Sequence, residues 1–149
     1  MERHAWSRLT SLQLGRYAEY LVKMEFALYG FDVYTAEVDN RGIDFVIRRN
    51  PDRYYDVQVK SVRRLNYIFF QKAKFNLKEN LLAAVALFFE GKSPQIYLIP
   101  ATVWREPNKL FVSRDYERKK SKPEWGLNLS QRNLSLLEQF TFEKVIGRL

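Results

Sequence analysis

The sequence contains no cysteine and one histidine, His4. Without thiols there is no disulfide framework, zinc knuckle, redox pair or cysteine nucleophile. With a single histidine near the start of the chain, Ser–His–Asp triads and His-ligated metal hydrolases have no raw material. Any hydrolytic chemistry must come from carboxylates, amides, lysines and a hard cation. Glycine and proline are sparse, at 6 and 5 residues, and no Pro/Gly-rich linker, repeat or low-complexity tract divides the chain. The longest apolar run, residues 81–89, is nine residues long, whereas a membrane span needs about 20. The first residues also lack the apolar stretch of a secretory leader. The expectation is a soluble, cytoplasmic protein without a membrane partner.

What the chain does have is positive charge. Its 25 Lys and Arg against 17 Asp and Glu give a net charge of +8 and an isoelectric point near 9.7, which favours an acidic partner. At 149 residues and 46% hydrophobic, the chain is long enough for one domain that buries roughly 68–70% of its unfolded surface. The expected organisation is a single domain over 1–149. A motif-bearing core covers about 12–100, and a basic loop and helix occupy 101–149.

Leu14, Ala18, Leu21, Val22, Leu28 and Tyr29 recur at three- and four-residue steps before Gly30, which predicts one long helix over 12–29. Residues 31–37 alternate as a strand, Asp39-Asn40-Arg41-Gly42 is turn chemistry, and 43–48 form a second strand. Asn50-Pro51-Asp52-Arg53 turns the chain again, and 54–62 form a third strand. A short strand is expected over 67–70, and a turn or single helical turn over 76–80. The apolar runs 82–89 and 95–99 read as hairpin strands, although periodicity alone also allows the first to be a helix. A looser stretch over 100–126 leads to a helix over 131–140. The order of elements describes an α/β or α+β layered domain.

Three polar residues stand where a purely structural sheet would carry apolar ones: Asp44 in Gly42-Ile43-Asp44, and Gln58 and Lys60 in Val57-Gln58-Val59-Lys60. Side chains alternate along a strand, so Gln58 and Lys60 share a face, which Asp56 joins. A hairpin register pairing numbers with an even sum puts Asp44 opposite Gln58 or Lys60, in one cleft. An odd sum puts it opposite Val57, Val59 or Ser61. A carboxylate, an amide oxygen and an ammonium that converge suit metal-assisted phosphodiester hydrolysis. Mg²⁺ takes one or two carboxylates and otherwise keeps water and substrate phosphate. Asp44, the Val59 carbonyl and the Gln58 side chain would hold the metal, and Lys60 would act on the attacking water or the developing charge. Glu19 lies on the helix side shared by Gly15, Val22 and Phe26, within reach of that cleft. Each residue also has a plainer reading. Asp44 closes a turn or pairs with Lys60, Glu19 pairs with Lys23 four residues on, and Gln58 faces solvent.

Between Gly15 and Val62 the chain resembles the PD-(D/E)xK, or restriction-endonuclease-like, nuclease superfamily, and within it the Holliday-junction-resolvase-like and Mrr-like members. The likeness rests on Glu19 in Gly15-Arg16-Tyr17-Ala18-Glu19, on Gly42-Ile43-Asp44, and on Gln58-Val59-Lys60-Ser61. It implies an αβββαβ core with a central mixed sheet flanked by helices, an acidic residue on the first helix, and Mg²⁺ or Mn²⁺ as cofactor. One departure stands out, because Gln58 occupies the place of the motif Glu or Asp. The resemblance implies a compensating carboxylate, for which Glu19 is the first candidate and Asp56 and Glu37 follow.

Basic residues gather around these segments. Arg41, Arg63, Arg64, Lys72, Lys74, Lys119 and Lys120 are the expected nucleic-acid contacts, with Tyr67, Phe69, Phe75 and Trp125 interleaved among the charges. The function expected is that of a metal-dependent DNA endonuclease, with RNA as a further possible substrate and a homodimer suited to cutting both strands. The rival expectations are a catalytically degenerate DNA-binding module, or an interaction subunit of a defence or mobile-element system.

Overall fold

The computed structural model describes residues 1–38 and 41–149. Helix α1 spans Ser11–Leu28. It opens with a capping box in which the Thr10 hydroxyl accepts from the Gln13 amide at 3.2 Å and the Gln13 side chain accepts from the Thr10 amide at 2.9 Å. It stops at Gly30, whose φ of +84° needs a residue without Cβ. Strands β1 (Asp32–Tyr34), β2 (Phe45–Asn50) and β3 (Arg53–Arg63) follow as an antiparallel series. Strand β5 (Leu81–Phe88) pairs parallel to β3, and β6 (Gln95–Pro100) returns antiparallel to β5. The five form one mixed sheet in the order β1-β2-β3-β5-β6. All eight residues of β5 are buried. Its unbroken apolar run therefore belongs to a central strand covered on both faces, which settles strand against helix for this segment.

Between β3 and β5, where the family likeness implies a second helix, the chain instead forms strand β4 (Tyr67–Gln71) and a 3₁₀ turn at Lys72–Lys74. Strand β4 belongs to a separate three-stranded sheet with β7 (Phe111–Arg114) and β8 (Glu124–Asn128), in the order β4-β8-β7. The stretch read as loose, 100–126, thus contains β7 and the start of β8. The expected helix over 131–140 contracts to α2 (Leu134–Leu137) and a 3₁₀ turn, and α3 (Phe142–Ile146) follows it. Of the expected turn at 39–42, Asp39 and Asn40 lie outside the described residues. The first strand is shorter than expected, and the second begins one residue after Asp44.

Helix α1 covers one face of the mixed sheet. Phe26 packs at 5.8, 6.0 and 5.0 Å from the rings of Phe31, Phe45 and Phe142. A Cβ on Gly15 would lie 3.8 Å from the Ser61 hydroxyl. The second aromatic cluster, Phe70, Phe75, Trp104 and Phe111, is buried between the two sheets and anchored by the Trp104 indole donating to the Gly126 carbonyl at 2.8 Å. The C-terminal segment wraps the β6 edge, where Thr141 bridges Tyr97 and Phe140 meets Phe111. Among the described residues no helix is long and apolar enough to cross a membrane.

Candidate functional site

The decisive geometry is the β2–β3 register. Phe45 stands opposite Val57, and the Asp44 amide donates to the Val57 carbonyl at 2.9 Å. One step further along the antiparallel ladder, Asp44 is opposite Gln58, so the sum is even. Val57 and Val59 turn their backbone groups toward β2. Because β2 has ended at this level, the Val59 amide donates to the Asp44 carboxylate at 2.7 Å instead of to a strand partner. The side chain is thereby fixed against the backbone of the residue whose carbonyl was expected to ligate metal.

Asp56, Gln58 and Lys60 follow at alternate positions of β3, on the face turned away from Phe45 and Ser61 and thus away from α1. The Gln58 side-chain oxygen is buried and has no hydrogen-bond partner among the described residues. An unsatisfied buried acceptor of this kind is costly, on the order of 1–3 kcal/mol, and is satisfied by whatever cation or donor enters beside it. Lys60 is largely buried, with its ammonium 5.5 Å from the centre of Phe70 and 6.0 Å from that of Phe69. Burial pushes its pKa below the ordinary lysine range, and the Asp44 charge opposes part of that shift. Phe69 and Phe70 form the wall against which this lysine stands. The adjacent aromatic pair in the sequence was the signal for that wall, but nothing in the sequence pointed it at Lys60.

The other expected residues are dispersed. Glu19, with its side chain 15% exposed, is held at 3.0 Å by Lys23 and at 3.4 Å by Arg16. The Lys23 ammonium lies 5.5 Å from the centre of Phe45, which places the cluster on the α1 face of the sheet. Buried Asp56 is paired with Lys78 at 2.6 Å, and Glu37 is exposed. Among the described residues no three acidic, His or Cys side chains form a group suited to a metal. The β2–β3 register makes neighbours of three residues that carry oxygen donors, Asp44, Gln58 and Val59. That hard, partly neutral set fits a Mg²⁺ ion that retains several waters.

The basic residues divide in the same way. Arg41, Lys74 and Lys78 line a cleft of about 920 Å³ that also takes in Ile43, Val46, Tyr54 and Asp56, beside the motif. Gly42, at φ +77°, leads the chain into Asp44, and a Cβ there would lie 3.2 Å from that of Lys74. Lys119 and Lys120 sit on an exposed loop, and Arg64 is exposed just past β3 at φ +58°. Two of the expected contacts have internal work. Arg63 donates to the carbonyls of Trp6, at 3.2 Å, and Leu9. Lys72 bonds Asp115 and Ser113 at 2.7 Å each and lies 3.9 Å from the centre of the Trp125 ring system.

No family model matches the sequence, and no curated protein does either. Among solved structures the chain is similar to Hjc, a Holliday junction resolvase from the archaeal hyperthermophile Archaeoglobus fulgidus. The TM-score is 0.54 over 89% of this chain and 95% of that one, at 14% identity. The chain shares the fold of that structure. That is the restriction-endonuclease-like architecture which the segment from Gly15 to Val62 resembles, a mixed central sheet with α1 against it. At 14% identity the likeness is one of fold. Fold does not by itself dictate activity, so function has to be argued from the residues just described.

Proposed function

We propose that the protein is a metal-dependent DNA endonuclease that hydrolyses phosphodiester bonds by direct attack of water. The observation that carries this reading is the unsatisfied Gln58 oxygen, buried opposite Asp44 and one alternate position from the partly desolvated Lys60. Asp44, the Gln58 amide and the Val59 carbonyl would hold Mg²⁺, for which Mn²⁺ can substitute. When bound, the ion supplies Lewis-acid polarisation of the phosphate and acidifies a water. Asp44 has one carboxylate oxygen committed to the Val59 amide, which fixes its orientation. Lys60 would orient the attacking water and stabilise the charge that develops on the phosphate, with burial lowering its pKa from the ordinary lysine value. The cleft, with Arg41 and Lys74 in its lining, would attract the phosphate backbone with an affinity that falls steeply with salt, while its Lys78 is paired with Asp56. One such site per chain cuts one strand, so cutting both strands of a duplex calls for two copies.

A second reading is a DNA-binding module on this fold that does not cleave. It is favoured by the amide at Gln58 and by Glu19 being engaged with Arg16 and Lys23. The test is a panel of duplex, single-stranded and branched DNA, and RNA, with Mg²⁺ or Mn²⁺, on the wild type, Asp44→Ala and Lys60→Ala. The nuclease reading expects cleavage of DNA that both substitutions abolish while binding persists. Salt-sensitive binding without cleavage of any substrate selects the second reading, and cleavage that survives Asp44→Ala overturns the mechanism.

A further inference from the structure

The wall behind Lys60 continues outward as a column of rings. Phe69 and Tyr67 project from the same face of β4, with ring centres 6.3 Å apart and planes inclined by 23°. Arg114, from β7, lays its guanidinium 4.3 Å from the centre of Tyr67. The Tyr67 hydroxyl donates to buried Glu124, and its ring covers Gly126, the residue opposite Phe69 on β8. Tyr67 is thus pinned flat to the sheet, whereas 44% of Phe69 is exposed. A single exposed aromatic is ordinary. This one is backed by an immobilised ring and has a cation at either end of the column, with Lys60 on the side of the motif and Arg114 on the far side.

Resting on the nuclease-fold reading above, we propose that Phe69, backed by Tyr67, stacks an unpaired base beside the phosphate held at Asp44 and Lys60. The preferred substrate is therefore DNA with a single-stranded arm at the cleavage point, such as a fork or flap, and not continuous duplex. Every base offers a π face, so the platform recognises single-strandedness without reading sequence. Lys60 and Arg114 supply the charge complementarity for the phosphates on either side of the stacked base. In a continuous duplex the bases are already stacked on one another and Phe69 gains nothing.

The experiment measures binding, in EDTA to prevent cleavage, of a duplex of about 20 base pairs and of the same duplex carrying a single-stranded arm with 2-aminopurine next to the branch. Wild type, Phe69→Ala and Phe69→Trp are compared, with thermal melts to show that all three are folded. Stacking predicts that Phe69→Ala loses about tenfold in affinity for the forked DNA, less than about twofold for the duplex, and the quenching of 2-aminopurine. Phe69→Trp keeps all three properties. Equal losses on both DNAs, or no loss on either, overturn the platform, and with it a role for Phe69 beyond the general surface. If the wild type binds and cleaves DNA in an Asp44-dependent way while Phe69→Ala is neutral, only this inference fails. If the wild type binds neither DNA, the nuclease-fold reading fails too.

Discussion

The carboxylate of Asp44 accepts the amide of Val59 at 2.7 Å, so the acidic residue before β2 is joined to the backbone of β3 at the one level where the ladder between the two strands has run out. Replacing it therefore separates two roles. Asp44→Asn keeps an oxygen able to accept from Val59 but removes the charge. It is expected to fold as the wild type does, to lose at least about 100-fold of metal-dependent cleavage, and to lose the thermal stabilisation that added Mg²⁺ gives. Melting curves with and without metal, alongside single-turnover cleavage, check both.

Lys60 bears on pH. Its pKa in the folded chain lies below the ordinary lysine value of 10.5 because burial outweighs the pull of Asp44. Between the folded and the unfolded pKa the unfolded chain binds more protons, so stability rises with pH across that window and the cost of burying the charge is fully present below it. Lys60→Met removes the cost. It is expected to melt higher than wild type at pH 7, with the gap narrowing as pH approaches 10, and to lose cleavage. A Lys60→Met protein that melts lower at pH 7 contradicts the burial argument.

Gln58→Glu restores the motif carboxylate opposite Asp44. Two like charges facing each other across an antiparallel pair repel, so the variant is expected to melt lower than wild type in EDTA. It is also expected to bind Mg²⁺ at least about tenfold more tightly, since a charged ligand replaces a neutral one in a hard-ion site. Calorimetric titration and paired melts give the two signs. A variant indifferent to metal would show that Gln58 is not at the ion.

Gly126→Ala tests the packing of the second sheet. The added Cβ would collide with the Tyr67 hydroxyl and meet its ring at 2.6 Å. Tyr67 cannot swing away without leaving buried Glu124, its hydrogen-bond acceptor. Overpacking of this kind costs about 1–3 kcal/mol, to be read from the denaturant midpoint at unchanged slope.

The legible parts of the sequence were those whose determinants are local. Helix α1 declared itself through Leu14, Ala18 and Val22, and the β2–β3 hairpin through its alternation and the Asn50-Pro51-Asp52 turn. The motif face followed from alternation once the hairpin was assigned. Strands β7 and β8 were not legible, because what makes Glu124–Asn128 a strand is pairing with Tyr67–Gln71, far back in the chain, and its alternation rests on only two apolar residues, Trp125 and Leu127. Likewise nothing near Arg63 says that its guanidinium belongs to the carbonyls of Trp6 and Leu9. Nor does anything near Asp56 say that Lys78 will neutralise it. Charge counts show how many cations there are, while long-range contacts decide which of them remain for a ligand.

Among the described residues strand β4 finds its only strand partner in β8, and that has a consequence in time. The polypeptide carrying Asp44, Gln58 and Lys60 is made well before residues 124–128, yet the Phe69–Phe70 wall has no neighbouring strand until those residues arrive. The motif strands can pair early, but the lysine acquires its desolvated setting only when the last third of the chain closes the second sheet. During synthesis the hairpin can therefore pair before the site is complete.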